Sequence, residues 1–497
     1  MKKELGSIFI VFIITAVLIF CCDKNPFHPE KKSNPLSNQP PETYLFLFIP
    51  TDSTGMADTT SVDMTGIDTT ASKQVLHWWG DDRDGQVIGY YIQWDYQDEP
   101  IWTTSEYDTF YVPIRTNFDR FTFRVWAIDN DSLKDPTPAI QTFPVFNSKP
   151  EIEFKLNSNP PAPIGNADVI AYTFPTRTFL WDVIDADGIE TITNIYYSLD
   201  DTSSWIKLSG SERSITLTGL SPGEHIFYVK AEDIAGAQSK TISFPDPLDP
   251  DIPNTWVVKE PRGDVLLISD FAQDQSTHAV QSIYEGMLTN IVGEQGYSVW
   301  EIGTSRTPEI NPQNSLPYVT ADVKAYLGYF KKVVWFAHYG RPNLSSAGLS
   351  LTQYIAEGGN VFITNGNEET PDTMWTFTDI DSVYKLNPGG RLFADVKVLA
   401  SFTNTEDDTT RDLALAKLIG NRVSALIPGS DAEVVYRMEP DSTASVTVPY
   451  KGSPAVGIRY KVGSGKSIYF SLPFHYLDGK GNMEQVLRFI LLEEFEQ

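Results

Sequence analysis

Cysteine is almost absent from this 497-residue chain. The two that it has, Cys21 and Cys22, are adjacent and lie near the N-terminus. No later part of the sequence can therefore form a disulfide, build a thiolate metal site or present a cysteine nucleophile. Catalysis in a folded domain would need a different nucleophile.

Basic residues are also scarce. The chain has 38 Lys and Arg against 65 Asp and Glu, which gives a formal net charge of −27 and a pI of about 4.5. Such a surface repels phosphate backbones, so we expect no nucleic-acid partner. Hydrophobic residues make up 41% and aromatic residues 12%, enough to bury sizeable cores, and the length suggests about three domains.

The longest apolar run follows Lys2 and Lys3 and covers Ile8 to Phe20. It is too short for a comfortable membrane span and matches the hydrophobic region of a secretory signal. With the two cysteines directly after it, the segment resembles a bacterial lipoprotein signal, here residues 1–22. The resemblance implies lipidation of Cys22, with Cys21 as the alternative, and a bacterial cell-envelope protein held on the periplasmic face or the cell surface by its N-terminal lipid. An uncleaved anchor is a further alternative. Residues 23–42, rich in Pro, Asn, Lys and Ser, predict a flexible tether.

An internal repeat occupies residues 43–147 and 148–247. Each copy has a strand with tryptophan, an Asp-rich turn with Asp-Gly, a Tyr-bearing strand and an alternating F-x-V-x-A-x-D strand. Alternation with period two predicts strands with one buried face, and we expect Trp79 and Trp181 in the two cores. The segment "GLSPGEHIFYVKAED" resembles the fibronectin type III pattern, which implies two immunoglobulin-like or fibronectin type III β-sandwiches.

The sequence pattern changes in residues 248–497, where apolar strand-like runs alternate with stretches of helical spacing. This order predicts an α/β domain with a doubly wound, flavodoxin-like parallel sheet. The stretches "LTQYIAEGGNVFITNG" and "GSGKSIYFSLPFH" resemble the class I glutamine amidotransferase-like superfamily. In that family a cysteine stands after the strand that here ends in "VFIT", but this chain has Asn365, Gly366 and Asn367 there. The late "FHYLDG" also lacks the Pro-Glu of the family motif, so we expect a degenerate domain without glutaminase activity.

Other candidate catalytic side chains lie at the ends of the strands expected in this sheet, where ligands usually bind. The weak candidates are His338, His475, Glu368 and Asp270. A serine–histidine system would need an oriented base next to its nucleophile, and no G-x-S-x-G elbow is present. The same side chains would form a metal site only if their tips met. "GSGK" is interpreted as a hairpin turn, since it lacks the first glycine of a phosphate loop.

The Asp-rich turns suggest one cofactor, calcium, because hard cations take several carboxylate oxygens. The weak candidate ligands are Asp81, Asp82, Asp84, Asp129 and Asp131. Asp and Gly also dominate turns for conformational reasons alone, and no loop here completes an EF-hand.

The leading hypothesis is therefore a lipid-anchored extracytoplasmic binding or scaffold protein that contacts a protein or glycan partner. The alternative is a periplasmic or surface hydrolase acting on glycan or peptide at the carboxyl ends of the α/β sheet. A calcium-stabilised adhesin is a third interpretation.

Overall fold

A computed structural model describes residues 38–47, 72–155, 169–246, 254–270, 275–302, 316–317, 319–337, 343–366, 376–386, 391–403, 405–420, 423–442 and 450–497. The predicted signal, both cysteines, His338 and Glu368 lie outside these ranges. The chain divides into two compact units. The first is Met1–Pro150 with Asp185–Ile192 and Asp233–Ala237, and the second is Glu151–Ile184, Thr193–Glu232 and Gln238–Gln497.

The first unit contains a seven-stranded antiparallel sandwich. Its strands are β1 Glu42–Leu47, β2 Lys73–Asp81, β3 Val87–Trp94, β4 Ile101–Thr103, β5 Tyr107–Tyr111, β6 Phe118–Asp129 and β7 Ala139–Phe146. One sheet has the order β1-β2-β5 and the other β4-β3-β6-β7. Alternate residues of these strands form the core, with Trp94 and Phe123 fully buried at its centre.

The expected core tryptophan of this sandwich was wrong by one residue. Trp78, not Trp79, is buried, and its indole N–H donates to the carbonyl of Ser105 at 2.9 Å. In β2 the inward positions are Gln74, Leu76 and Trp78, so the period of two places Trp79 on the outer face. Trp181 is buried as predicted, and its N–H donates to the carbonyl of Glu212 at 3.0 Å.

The second unit begins with a sandwich of the same strand order. Its strands are β8 Glu151–Phe154, β10 Thr176–Ile184, β11 Ile192–Leu199, β12 Ile206–Ser209, β13 Ser214–Thr218, β15 Phe227–Asp233 and β16 Ile242–Phe244. The sheets run β13-β10-β8 and β12-β11-β15-β16. A small third sheet combines β9 Val169–Thr173, β14 Gly223–His225 and β17 Asn254–Val258, with β9 parallel to β17.

An 11-stranded sheet forms the rest of this unit. Its strands are β18 Val265–Asp270, β19 Tyr297–Glu301, β20 Lys332–Ala337, β21 Asn360–Asn365, β22 Ile380–Lys385, β23 Lys397–Ala400, β24 Leu413–Ala414, β25 Ser424–Pro428, β26 Glu433–Met438, β27 Ala455–Val462 and β28 Gly465–Phe470. The run β19-β18-β20-β21-β28 is parallel, and β27-β26-β23-β24 continues it antiparallel. β18 and β20 are buried on both faces, as their continuous apolar sequences predict.

Helices cover both faces of the parallel strands. They are α1 Gln275–Val292, α2 Thr320–Gly328, α3 Leu344–Ala356 and α4 Met483–Leu492. α1 and α4 pack in one apolar cluster, and α2 and α3 pack in the other. β27 and β28 form a hairpin whose two-residue turn is Gly463, at φ 61°, and Ser464. The "GSGK" segment is therefore a hairpin turn, as expected, followed by the first two residues of β28. None of the described helices is both long and apolar enough to cross a bilayer.

The second cluster extends into the second sandwich, within the same unit. Phe174, between β9 and β10, is only 2% exposed and lies in this cluster with residues of α2 and α3. Next to it, the carboxylate of Asp322 accepts hydrogen bonds from the N–H and hydroxyl of Thr178 at 2.8 and 2.6 Å. Arg177 is fully buried, with its guanidinium 4.2 Å from the ring centroid of Phe179. The sandwich and the large sheet therefore share an apolar and hydrogen-bonded core.

Candidate functional site

The carboxyl end of β18 holds Asp270, one of the predicted catalytic side chains. Its carboxylate accepts hydrogen bonds from the backbone N–H of Asn343 at 2.5 Å, from the Asn343 amide at 2.8 Å and from the Trp335 indole at 3.1 Å. Burial raises its pKa to about 7, although these donors act in the opposite direction. Asp270 thus connects the end of β18 to the start of α3.

His475 lies in a short helical turn after β28 and is buried. Its Nδ1 is 3.4 Å from the hydroxyl of Tyr284. Thr364, nearby on β21, donates its hydroxyl to the carbonyl of Leu472 and accepts from the N–H of Phe474, both at 2.8 Å. These contacts fix the turn that contains His475.

Asn365 occupies the position at which the resemblance to amidotransferases would place a nucleophile. It is fully buried at the end of β21, beside the neighbouring strand β28. A buried amide at this point has no nucleophilic chemistry. Because His338 and Glu368 lie outside the described residues, their pairing with His475 stays a prediction.

Asp129, at the end of β6, uses its oxygens for hydrogen bonds to the surrounding chain. It accepts from the Asn38 amide at 2.6 Å and from the backbone N–H groups of Asp131 and Leu133 at 2.9 and 2.8 Å. The second copy repeats the first contact, because Asp233 accepts from the Asn147 amide at 2.6 Å. The repeated Asp therefore anchors the segment that precedes the first strand of each copy.

The "GDDRDG" turn is organised in a similar way. Asp82 accepts from the N–H of Asp84 at 3.3 Å, Asp84 accepts from the N–H of Gln39 at 3.2 Å, and Asp81 is exposed at the end of β2. Asp185, the second-copy counterpart of Asp82, is partly buried. Burial raises the pKa of both carboxyls, that of Asp185 to about 6.

In the second copy Asp187 is fully buried and belongs to the first unit. Its carboxylate accepts from the backbone N–H groups of Ser72 at 2.6 Å and Ser148 at 2.5 Å. Within the described ranges, no three His, Cys, Asp or Glu side chains are placed to hold a metal ion. The hydrogen bonds to the surrounding chain thus account for the carboxylates in these turns. Calcium binding at them stays a prediction.

The outer face of the sheet β4-β3-β6-β7 carries a row of three aromatic side chains, Trp102, Tyr91 and Trp126, which we call the aromatic row. Tyr91 pairs with Trp102 on one side and with Trp126 on the other. The rings of Tyr91 and Trp102 are 5.1 Å apart, and Lys134 places its Nζ 3.9 Å from the centroid of the Trp126 ring. Adjacent outward positions thus meet across three strands.

Gly89 explains how Trp102 can lie on this face. A Cβ atom at Gly89 would be 2.5 Å from Cζ2 of Trp102 and 2.6 Å from Cη2, so the indole rests directly on the glycine. Trp102 is still 42% exposed. The indole ring of Trp102 therefore packs on Gly89 and stays partly exposed, where a partner can contact it.

Two basic side chains, Arg124 and Lys134, lie beside the aromatic row. Arg124 lies two residues before Trp126, at the adjacent outward position of β6, and pairs with Gln93 and Ile140. Lys134 lies over Trp126. Among the described residues, no carboxylate pairs with Arg124 or Lys134. A locally basic aromatic face on a chain of net charge −27 is a clear departure from the average surface.

Comparison with known proteins supports the class of the two sandwiches. No protein-family model matches the chain. A 176-residue stretch is 26% identical to tenascin-N of Mus musculus and covers 32% of this chain but only 11% of tenascin-N. Together with the repeated arrangement of three and four strands, this identifies fibronectin type III-like, immunoglobulin-like β-sandwich domains in a mostly β, multidomain chain.

Solved structures resemble the chain only loosely. The fibronectin(III)-like modules of Clostridium thermocellum CbhA match 38% of this chain and 87% of their own, with 16% identity and a TM-score of 0.17. A two-domain fibronectin type III segment of chicken tenascin matches 35% of this chain and 92% of its own, with 15% identity and a TM-score of 0.19. A ThuA-like protein from Parabacteroides merdae matches 46% of this chain and 88% of its own, with 12% identity and a TM-score of 0.28. At these scores the likenesses carry no functional argument.

Proposed function

We propose that this chain is an extracytoplasmic binding protein, lipid-anchored through Cys22 or alternatively Cys21, whose first sandwich binds a glycan. The observation that carries the proposal is the exposed indole of Trp102 on Gly89, within the aromatic row. The signal-like N-terminus supports an envelope location. Exposed large aromatic side chains grouped on one face are typical of binding surfaces.

The dimensions of the aromatic row fit sugar rings. Neighbouring strands lie about 4.8 Å apart, so a row across three strands is roughly 10 Å long. That length suits about two pyranose rings. One stacks its C–H face on the open Trp102 ring, and the next meets Lys134, which covers Trp126, while hydroxyls bond to polar neighbours such as Gln93. The uncompensated charges of Arg124 and Lys134 favour sugars that carry carboxylates.

Binding of defined oligosaccharides tests this function. Titration calorimetry with tetragalacturonate and with neutral cellotetraose should show binding of the acidic tetramer and weaker binding of the neutral one. Trp102→Ala should weaken binding by about 2 kcal/mol, or roughly 30-fold, as expected for a central aromatic contact. Lys134→Gln should weaken binding of the acidic tetramer only.

Trp79→Ala is the matched control. Trp79 is 43% exposed, as Trp102 is, but lies on the outer face of the other sheet of the same sandwich. Binding that is lost equally in both variants, or that neither oligosaccharide shows, would overturn the glycan proposal.

We further propose that the α/β region has the doubly wound, amidotransferase-like fold and serves as a scaffold without glutaminase activity. The parallel run with helices on both faces and the buried amide of Asn365 support this. Glutamine hydrolysis by the purified protein would contradict it. The lipid anchor is tested separately by metabolic labelling with a fatty acid, which Cys22→Ser should abolish and Cys21→Ser should leave unchanged.

A further inference from the structure

A cleft of about 540 Å³ lies in the second unit, beside the edge strand β19. Its accessible walls include the apolar surfaces of Pro222, Tyr297 and Val299, together with Lys259 and Arg262. Ligand pockets for small molecules typically measure about 300–1,000 Å³ and combine apolar walls with a few polar groups. The size and the lining therefore suit a small amphipathic ligand.

Lys259 is a partly buried cation in the wall of this cleft. Its Nζ lies 4.2 Å from the centroid of the Tyr172 ring. Burial lowers the pKa of its ammonium group, while the charge of Glu301 acts in the opposite direction. Among the described residues, none accepts a hydrogen bond from this Nζ. A partly desolvated ammonium without an acceptor gains free energy when an anion binds beside it.

Arg262 adds a second cation at the mouth. Its backbone is fixed to β19, because its N–H donates to the Ser298 hydroxyl at 2.7 Å and its carbonyl accepts from that hydroxyl at 3.1 Å. Its side chain is exposed and pairs with none of the carboxylates described. Glu260 and Glu294 also line the mouth, so the cleft disfavours a ligand with several negative charges.

We propose that this cleft binds a small amphipathic monocarboxylate. The carboxylate lies between Lys259 and Arg262, and the apolar body packs against Pro222, Tyr297 and Val299. The same chemistry is offered by a free organic acid and by the C-terminus of a peptide with an apolar last residue. The site is independent of the glycan surface in the first sandwich.

Titration calorimetry on the whole protein, with two pairs of probes, tests the proposal. The first pair is 3-phenylpropionate and its neutral amide, and the second is acetyl-Ala-Ala-Phe with a free C-terminus and the same peptide as its amide. We expect each acid to bind at least tenfold more tightly than its amide. A stronger peptide acid would identify a peptide terminus as the ligand, and a stronger phenylpropionate would identify a free acid.

Substitutions of Lys259 and Arg262 provide a second test of the proposal. Lys259→Gln should weaken binding of the acid by about 10- to 100-fold, as loss of a charge-assisted hydrogen bond does, and leave the amide unchanged. Arg262→Gln, at an exposed position that should tolerate the change, is expected to weaken the acid less. Lys397→Gln, an exposed lysine on β23 away from the cleft lining, is the matched control. Equal binding of acid and amide, no binding of any probe, or equal affinity in the Lys259→Gln and Lys397→Gln proteins would overturn the inference.

Discussion

The substitution Phe174→Ala tests whether the second sandwich and the large sheet are held by one core. Four aromatic rings surround the Phe174 ring, with centroids 5.3 Å away for Phe330, 5.5 Å for Tyr326, 6.3 Å for Tyr329 and 6.5 Å for Trp300. Three of these pairs are edge-to-face, the arrangement that aromatic pairs prefer.

The expected loss can be worked from this packing. Burying a Phe side chain contributes roughly 1.5–3 kcal/mol through transfer from water. Because bulky rings on several elements cannot all collapse into the space left by the phenyl group, a cavity term adds to this. The total loss in the free energy of unfolding should reach roughly 3–5 kcal/mol.

Equilibrium urea denaturation followed by tryptophan fluorescence measures this loss. Phe393→Ala is the control, since Phe393 is 38% exposed in the same unit and its truncation should cost less than about 1 kcal/mol. Hydrogen exchange should show faster opening in both β10 and α2 of the Phe174→Ala protein. A loss no larger than that of the control, or faster exchange on one side alone, would refute the shared core.

Three further predictions follow from single side chains. Gly89→Ala should displace Trp102 and weaken oligosaccharide binding at least tenfold, measured by calorimetry, while the urea midpoint moves little; unchanged affinity would contradict the stacked geometry. Asp187→Ala should lower the free energy of unfolding by about 2–4 kcal/mol in urea denaturation, since one buried and one partly buried backbone N–H lose their acceptor; a loss below about 1 kcal/mol would contradict this. Burial raises the pKa of Asp270 to about 7, against roughly 3.9 in the unfolded chain. Its contribution to the free energy of unfolding is therefore fully present below about pH 4 and is lost as the pH rises through 7. Asp270→Asn should flatten the pH dependence of the free energy of unfolding over that window, and an unchanged slope would argue against burial of the charge.

The sandwiches were predictable because their signal is local. Period-two alternation and a repeated Asp-Gly turn specify strands and their order without knowledge of distant contacts. The misplaced Trp79 could also have been avoided. Trp78 and Trp181 both stand six residues before the aspartate of that Asp-Gly pair, at Asp84 and Asp187, and this common spacing identifies the equivalent positions.

The proposed binding surfaces were harder to find from the sequence. Trp102 lies on Gly89 only because β4 pairs with β3 in one register, and sequence alternation does not specify that register. Lys259 and Val299 meet through the folding of a whole unit, and a single lysine after a strand carries no pattern. Asp270 was expected at a strand end, where it is found, but its role in joining β18 to α3 depends on Asn343, which no motif marks.

The hydrogen bond between Asn38 and Asp129 also determines how the first sandwich would respond to tension. Asn38 lies at the start of the described chain, before β1, and Asp129 ends β6, a strand with neighbours on both sides. We therefore expect a pull on the preceding segment to load β6, in the middle of the second sheet, as well as β1 at the edge of the first. Because Asn147 and Asp233 repeat the arrangement, each sandwich has a hydrogen bond that ties the segment before its first strand to an aspartate of the second sheet.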